Sequence, residues 1–230
     1  MNTKLIPIAG AIAGSLLWVT SAGAVTVTIG ESIDGGSINQ LATGTNSAAF
    51  AGAIGGTGYT INGINGALGI APDIFLSNSL NIATTGDTVG TLDIYVTVRG
   101  LTSPTGFTGL LSSLTSNALG LGWTENLQTY LDLNNGLWTI NNTPTNPQLA
   151  AHGFTGLGTF SQGVNETLVG PYSLTELFII SAPVAGTANA TIDISQTPLP
   201  ATLPLLATGL LGFWGWSRKR KASADCVSHA

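Results

Sequence analysis

The stretch Thr91-Leu92-Asp93-Ile94-Tyr95-Val96-Thr97-Val98-Arg99 alternates apolar and polar residues without a break. Successive side chains of an extended chain point to opposite faces. Leu92, Ile94, Val96 and Val98 therefore share one face, and Asp93, Tyr95, Thr97 and Arg99 share the other. A period of two is incompatible with an amphipathic helix and predicts a half-buried strand. Val25, Val27 and Ile29 alternate with Thr26 and Thr28, and Thr191-Ile192-Asp193-Ile194 repeats the pattern near the other end of the same region. Residues 174–181 are more continuously apolar, as expected of a central strand buried on both faces. Residues 74–82 and 127–133 read as further strands. Thr85-Gly86-Asp87, Asn134-Asn135-Gly136 and Val169-Gly170-Pro171 supply turn chemistry between them. The expected fold class is all-β, an antiparallel β-sandwich.

Three regions are less regular. Leu110, Leu114 and Ala118 recur at helical spacing, so residues 109–121 read as helical or irregular. Residues 127–133 and 137–140, separated by Asn134-Asn135-Gly136, read as a hairpin with a three-residue loop. Residues 44–69 hold eight glycines and a doubled Ile-Asn-Gly triplet at Ile61-Asn62-Gly63 and Ile64-Asn65-Gly66. That composition predicts a mobile loop or a pair of tight turns, with a low-complexity adhesive segment as the functional alternative.

Charge divides the chain of 230 residues into unlike pieces. Only 7% of its residues are charged, against about 25% in an average domain. Residues 25–197 carry ten carboxylates and one base, Arg99, a net of −9. A body so poor in Lys and Arg cannot neutralise many phosphates, which argues against a nucleic-acid partner. Its apolar content argues against whole-chain disorder. The single Cys of the chain excludes a disulfide framework and a Cys-based zinc site.

Lys4 precedes an apolar run over residues 5–19, followed by Ser21-Ala22-Gly23-Ala24. Ala22 and Ala24 form the small-x-small pattern of a signal peptidase site, so residues 1–24 read as a signal peptide cleaved after Ala24. At the other end, Pro198, Pro200 and Pro204 keep the chain extended before an apolar run. A helix from Leu203 to Lys219 would be about 25 Å long, marginal against a hydrocarbon core of about 30 Å. Phe213, Trp214 and Trp216 precede Arg218, Lys219, Arg220 and Lys221. Aromatic rings favour the headgroup region and flanking bases stay cytoplasmic, which places the acidic body outside. The fold expected for the whole chain is thus a sandwich flanked by an N-terminal signal helix and a C-terminal hydrophobic helix.

This proline, apolar and basic sequence resembles the PEP-CTERM sorting signal of Gram-negative bacteria. Pro198-Leu199-Pro200-Ala201 is similar to the variant in which the middle Glu is replaced by an apolar residue. Leu203-Pro204-Leu205-Leu206, Gly209-Leu210 and the four bases fit the remainder. The resemblance implies recognition by an exosortase-type membrane protease, cleavage near the proline motif, and transfer to the cell surface or extracellular matrix. Leu199-Pro200-Ala201-Thr202 also resembles the start of a Gram-positive sortase signal, but Leu203 stands where that signal has Gly. The expected domains are a signal peptide at 1–24, a sandwich passenger at 25–197, a sorting and transmembrane signal at 198–221 and a tail at 222–230 that contains Cys226. The segments around residues 91–101, 122–138 and 170–181 also resemble the sandwich bodies of other passengers of this class.

No catalytic constellation stands out. His152 is the only His of residues 25–197, Ala151-His152-Gly153 reads as loop, and no G-x-S-x-G elbow is present. Glu125, Asp132, Glu166 and Glu176 are the carboxylates a glycosidase would draw on, but no spacing pairs them. Asp132-Leu133-Asn134-Asn135-Gly136 has oxygen ligands two apart before a Gly, as calcium loops do, yet Thr143 stands where a closing Glu would be. A turn is the simpler reading, and no metal or cofactor is expected. Trp123, Tyr130 and Trp138 could form a sugar-stacking platform or could fill the core and its rim. Asn141, Asn165 and Asn189 begin Asn-x-Thr sequences, which matter only in a glycosylating host. The expectation is a non-enzymatic surface or matrix protein associated with exopolysaccharide. The alternatives are a carbohydrate-binding module and a secreted hydrolase.

Overall fold

The computed structural model describes residues 25–68, 74–86 and 90–197. They form twelve strands: β1 (Thr26–Ile33), β2 (Asn39–Thr45), β3 (Ser47–Ala53), β4 (Tyr59–Ala67), β5 (Ile74–Thr84), β6 (Leu92–Leu101), β7 (Gly106–Leu119), β8 (Thr124–Asp132), β9 (Gln148–Phe154), β10 (Gly158–Leu168), β11 (Tyr172–Ser181) and β12 (Gly186–Thr197). Two antiparallel six-stranded sheets result, in the orders β2-β1-β6-β11-β8-β9 and β10-β7-β12-β5-β4-β3. The fold is the antiparallel β-sandwich that the alternation predicts. The expected signal helix and C-terminal helix lie outside the described residues.

The inner face of the first sheet is built by Val27, Ile29, Leu92, Ile94, Val96, Val98, Leu174 and Phe178. The second sheet answers with Ile64, Leu80, Ile82, Leu114, Ile192 and Ile194, all buried in the same cluster. Burying this much aliphatic surface, at about 25 cal/mol per Å² of apolar area, is what holds the two layers together. β11 lies between β6 and β8 and is buried on both faces over most of its length, as expected for residues 174–181.

β6 differs from its half-buried expectation. Asp93, Tyr95 and Thr97, on the outer side, are buried too. The cover comes from the chain after β8. Tyr95, Tyr130 and Leu177 form a second apolar cluster on the outer face, packed by Ile38, Trp138, Ile140 and Ile179.

That cover also corrects the predicted hairpin. The Asn134-Asn135-Gly136 turn exists: Asp132 Oδ1 accepts from Asn134 N at 2.8 Å, and Oδ2 accepts from Gly136 N at 2.9 Å. Residues 137–140, however, do not return as a strand beside β8. Trp138 takes a φ of 56°, which breaks extension, and its indole lies over Gly30, where a Cβ would approach Trp138 Cζ2 to 2.7 Å. Asn146 then ties the flap down, donating Nδ2 to Leu131 O at 2.7 Å and to Thr139 O at 3.1 Å. The strand that does pair with β8 on that side is β9.

Residues 109–121 are not helical. Nearly all belong to β7, paired with β10 and β12. The spacing misled because positions four apart share a face in a strand as well as in a helix. The intervening positions resolve it: Ser112 and Ser116 are buried alongside Leu110 and Leu114.

The glycine-rich region forms two strands, β3 and β4, joined by a tight turn in which Ile54 N donates to Tyr59 O at 2.9 Å. Ile61 and Ile64 are three apart, so an uninterrupted strand would send them to opposite faces. The register shifts between Ile61 and Gly63 against β5, and against β3 between Phe50 and Gly52, which face Ile64 and Ile61. Asn62 is thus an extra residue, a bulge that re-phases the strand. Both isoleucines consequently enter the core while Asn62 and Asn65 face solvent.

Candidate functional site

The structure does not bring Trp123, Tyr130 and Trp138 into one platform. Trp123 is 1% exposed and belongs to the inter-sheet core, with its indole N–H donated to Val184 O at 2.9 Å. Tyr130 and Trp138 belong to the separate outer cluster, where Trp138 is half-buried against Gly30. No stacking surface of the kind a sugar ring needs unites the three.

His152 lies in strand β9, opposite Leu127, rather than in a loop. Its ring stacks on Phe160 with centroids 4.5 Å apart and meets Phe154 edge-on at 4.6 Å. That packing links β9 to β10, and so joins the two sheets along one side. The Asp132 carboxylate is spent on two backbone N–H groups of its own turn. Among the described residues no three His, Cys, Asp or Glu side chains converge as metal ligands.

Two of the carboxylates singled out in the sequence face the interior. Glu176 sits on the inner face of β11, and Asn78 of the opposite sheet donates its Nδ2 to Glu176 Oε2. Burial pushes Glu176 well above the ordinary carboxylate value; the Asn78 bond opposes that shift, and Asp193 adds to it. Glu125, 1% exposed, faces in beside Ile180. Desolvation raises it to about 7, and the nearby Ser116 hydroxyl offsets only part of that. Neither Glu125 oxygen makes a hydrogen bond of good geometry. The two acids sit four positions apart along neighbouring strands, a rise of about 13 Å, both turned inward rather than across a cleft.

An open feature lies on the outer face of the second sheet. A groove of about 550 Å³ is lined by Ala49, Phe50, Ala51, Gly63, Ile64, Asn65, Ser79, Asn81 and Asn189. Alternation explains the lining on β5 and β12. Leu80, Ile82, Ala188 and Ala190 point inward, which turns Ser79, Asn81 and Asn189 outward. On β4 the bulge delivers Asn62 and Asn65 to the same face. Two separate sets of amide bonds lie on it: Asn62 Nδ2 donates to Asn81 Oδ1 at 3.2 Å, while Asn117 Nδ2 donates to Asn189 Oδ1 at 2.9 Å and to Thr191 Oγ1 at 2.8 Å, and Asn189 Nδ2 donates to Leu80 O at 3.1 Å. Among the described residues, the Asn65 amide and Asn81 Nδ2 make no hydrogen bond within the fold. Sequence reading missed this face. The signal was the doubled Ile-Asn-Gly triplet, legible only once a bulge is placed between its two copies.

Pro198, Leu199, Pro200, Ala201, Arg218, Lys219, Arg220 and Lys221, like Ala22 and Ala24, lie outside the described residues. The last described strand, β12, runs to Thr197 between β7 and β5. Among the described residues no helix is long and apolar enough to cross a membrane.

The body is therefore a two-sheet antiparallel sandwich whose last strand leads into the proline-rich terminus. That terminus, residues 196–220, matches the PEP-CTERM protein-sorting motif, so the chain carries such a motif at its C-terminus. The motif implies processing by an exosortase, export and cell-surface sorting. No curated protein matches the chain in sequence. Among solved structures, the K1 cleaved adhesin domain of Lys-gingipain from Porphyromonas gingivalis W83 is similar at 13% identity and TM-score 0.35, over 67% of this chain and 92% of that one. A CBM4 structure is similar at 13% identity and TM-score 0.31, over 65% and 87%. A carbohydrate-binding module of the β-sandwich superfamily is similar at 9% identity and TM-score 0.32, over 76% and 86%. Likeness at this level carries no functional argument.

Proposed function

We propose that this is a non-enzymatic protein of the cell surface or extracellular matrix, associated with exopolysaccharide. It is exported by the signal peptide of residues 1–24, cleaved by signal peptidase after Ala24, and held in the membrane by the hydrophobic segment that begins at Leu203. An exosortase-type protease then cuts near Pro198, Leu199, Pro200 and Ala201. The observation that carries the reading is the sorting motif at residues 196–220, which begins in the last two residues of the final core strand. Supporting it are the single base of residues 25–197 and a surface rich in Thr, Asn and Gly, which suit a hydrated matrix. The inward-facing Glu125 and Glu176 favour it over a secreted hydrolase.

The test is the intact mass and location of the native protein, compared with a variant in which Arg218, Lys219, Arg220 and Lys221 are all replaced by Ser. The wild-type protein is expected at the surface or in the matrix with a mass close to that of residues 25–197. The variant is expected to remain membrane-bound and longer. Unchanged mass and location in the variant would overturn the processing step.

A further inference from the structure

We infer that the groove on the outer face of the second sheet is a binding site for a neutral, hydroxyl-rich polymer, a segment of uncharged polysaccharide. The inference rests on the extracellular reading above and names the surface and the ligand class. Four observations carry it.

The first is size. At about 550 Å³ the groove falls within the range of small-ligand sites, about 300–1,000 Å³. Ala49, Ala51 and Gly63 keep it open by having almost no side chain on the outer face, whereas the Phe50 and Ile64 side chains turn to the core.

The second is hydrogen-bonding chemistry. A carboxamide offers two donors and two lone pairs, so it can donate to one hydroxyl and accept from its neighbour. Asn65 and Asn81 bring two such groups from adjacent strands, with the Ser79 hydroxyl among them, and Asn189 on the next strand adds a carboxamide held by bonds to Leu80 O and from Asn117 Nδ2. The Asn62–Asn81 amide bond pre-orients part of this array, so less freedom is lost when a ligand docks.

The third is charge. No lining residue is ionisable, and the only base of residues 25–197, Arg99, is on the other sheet. The groove therefore has nothing with which to neutralise an anionic polymer, and no carboxylate of its own to hold a cation.

The fourth is a conflict with local preference. Asn is depleted in strands, yet Asn62, Asn65, Asn81, Asn117 and Asn189 all occupy strands on this one face. A bulge is spent to keep two of them there. Departures from local propensity that concentrate in one place mark a functional surface.

The test uses the purified mature protein in native gels containing dextran, yeast mannan or soluble β-glucan, with alginate as the anionic counterpart. Retardation by at least one neutral polymer is expected. The double variant Asn65→Ala/Asn81→Ala is expected to weaken it at least tenfold with an unchanged melting curve. Ala49→Arg, which fills the groove from an exposed position, should do the same, whereas Gln128→Ala on the other sheet should not. No retardation by any of the three neutral polymers, retardation by alginate alone, or full retention in both groove variants would overturn the inference. Binding by purified protein is independent of sorting, so this failure is distinguishable from a failure of the localisation experiment.

Discussion

Asn78 and Glu176 reach across the sandwich interior to each other, the amide of one sheet donating to the carboxyl of the other. Gly66 makes the room. A Cβ there would lie 2.9 Å from Asn78 Oδ1, and 2.7 Å and 2.9 Å from methyl carbons of Val96 and Val27. A polar pair and the glycine that admits it thus occupy the middle of a largely aliphatic layer.

The first prediction concerns pH. Burial raises Glu176, Glu125 and Asp93 above their ordinary values, Glu125 from 4.5 to about 7. The folded state holds these protons more tightly than the unfolded chain does. Their stabilising effect is complete below the ordinary carboxylate value and is lost as pH rises through the folded value. The melting temperature should be higher at about pH 5 than at about pH 8. For Glu125 the interval from 4.5 to about 7 corresponds to about 3 kcal/mol. Glu125→Gln should recover much of this at the higher pH and flatten the profile; thermal melts across pH would show it.

The second concerns packing at Gly66. Gly66→Ala drives a methyl into Val96, Val27 and Asn78, so a loss of about 1–3 kcal/mol in urea unfolding is expected. Gly63→Ala has nothing within 4 Å of the added carbon and should change stability little. Equal effects at the two positions would contradict the alternation that sets them on opposite faces of β4.

The third separates core from ligand at Trp123. Trp123→Ala removes a fully buried ring and its hydrogen bond to Val184 O. It should cost about 3–5 kcal/mol in equilibrium unfolding. Trp123→Phe should recover most of that loss, as a filler of space would and a sugar-stacking indole would not.

The fourth uses Arg99 as a reporter. It is the only Lys or Arg of residues 25–197, lies in β6 between β1 and β11, and donates its Nε to Asn135 O at 3.0 Å. Trypsin should leave the folded mature protein intact over a period in which the urea-unfolded protein is cut into two fragments after Arg99. Mass spectrometry of the digest would report additional fragments if the mature ends differ from those proposed.

The legible parts of this fold were those where one physical signal acted alone. Unbroken alternation placed β1, β6 and β12, and continuous apolarity placed β11. The errors arose where two signals coincide or where one residue changes the phase. Leu110 and Leu114 satisfy strand and helix alike, and only the buried serines between them discriminate. Asn62 inverts the parity of β4, so the Ile-Asn-Gly repeat reads as turns until the bulge is seen. Trp138 leaves the extended conformation after a genuine turn, and the flap it anchors buries the outer side of β6, which local pattern assigns to solvent. The sorting motif was readable because its proline, apolar and basic parts are contiguous. The groove draws on β3, β4, β5 and β12, which only the folded sheet makes adjacent.

The placing of β12 has a mechanical consequence. It is an interior strand, bonded on one side to β7 from Ala188 to Thr197 and on the other to β5 from Gly186 to Ser195. Antiparallel ladder bonds run perpendicular to the strands. A pull applied at Thr197 along the strand therefore loads both ladders in shear, many bonds at once, instead of peeling them one by one. β1, at the other end of the described chain, is likewise flanked on both sides, by β2 and β6. A protein tethered through its C-terminal end and dragged by flow or by a bound polymer would meet that load at its most resistant strand.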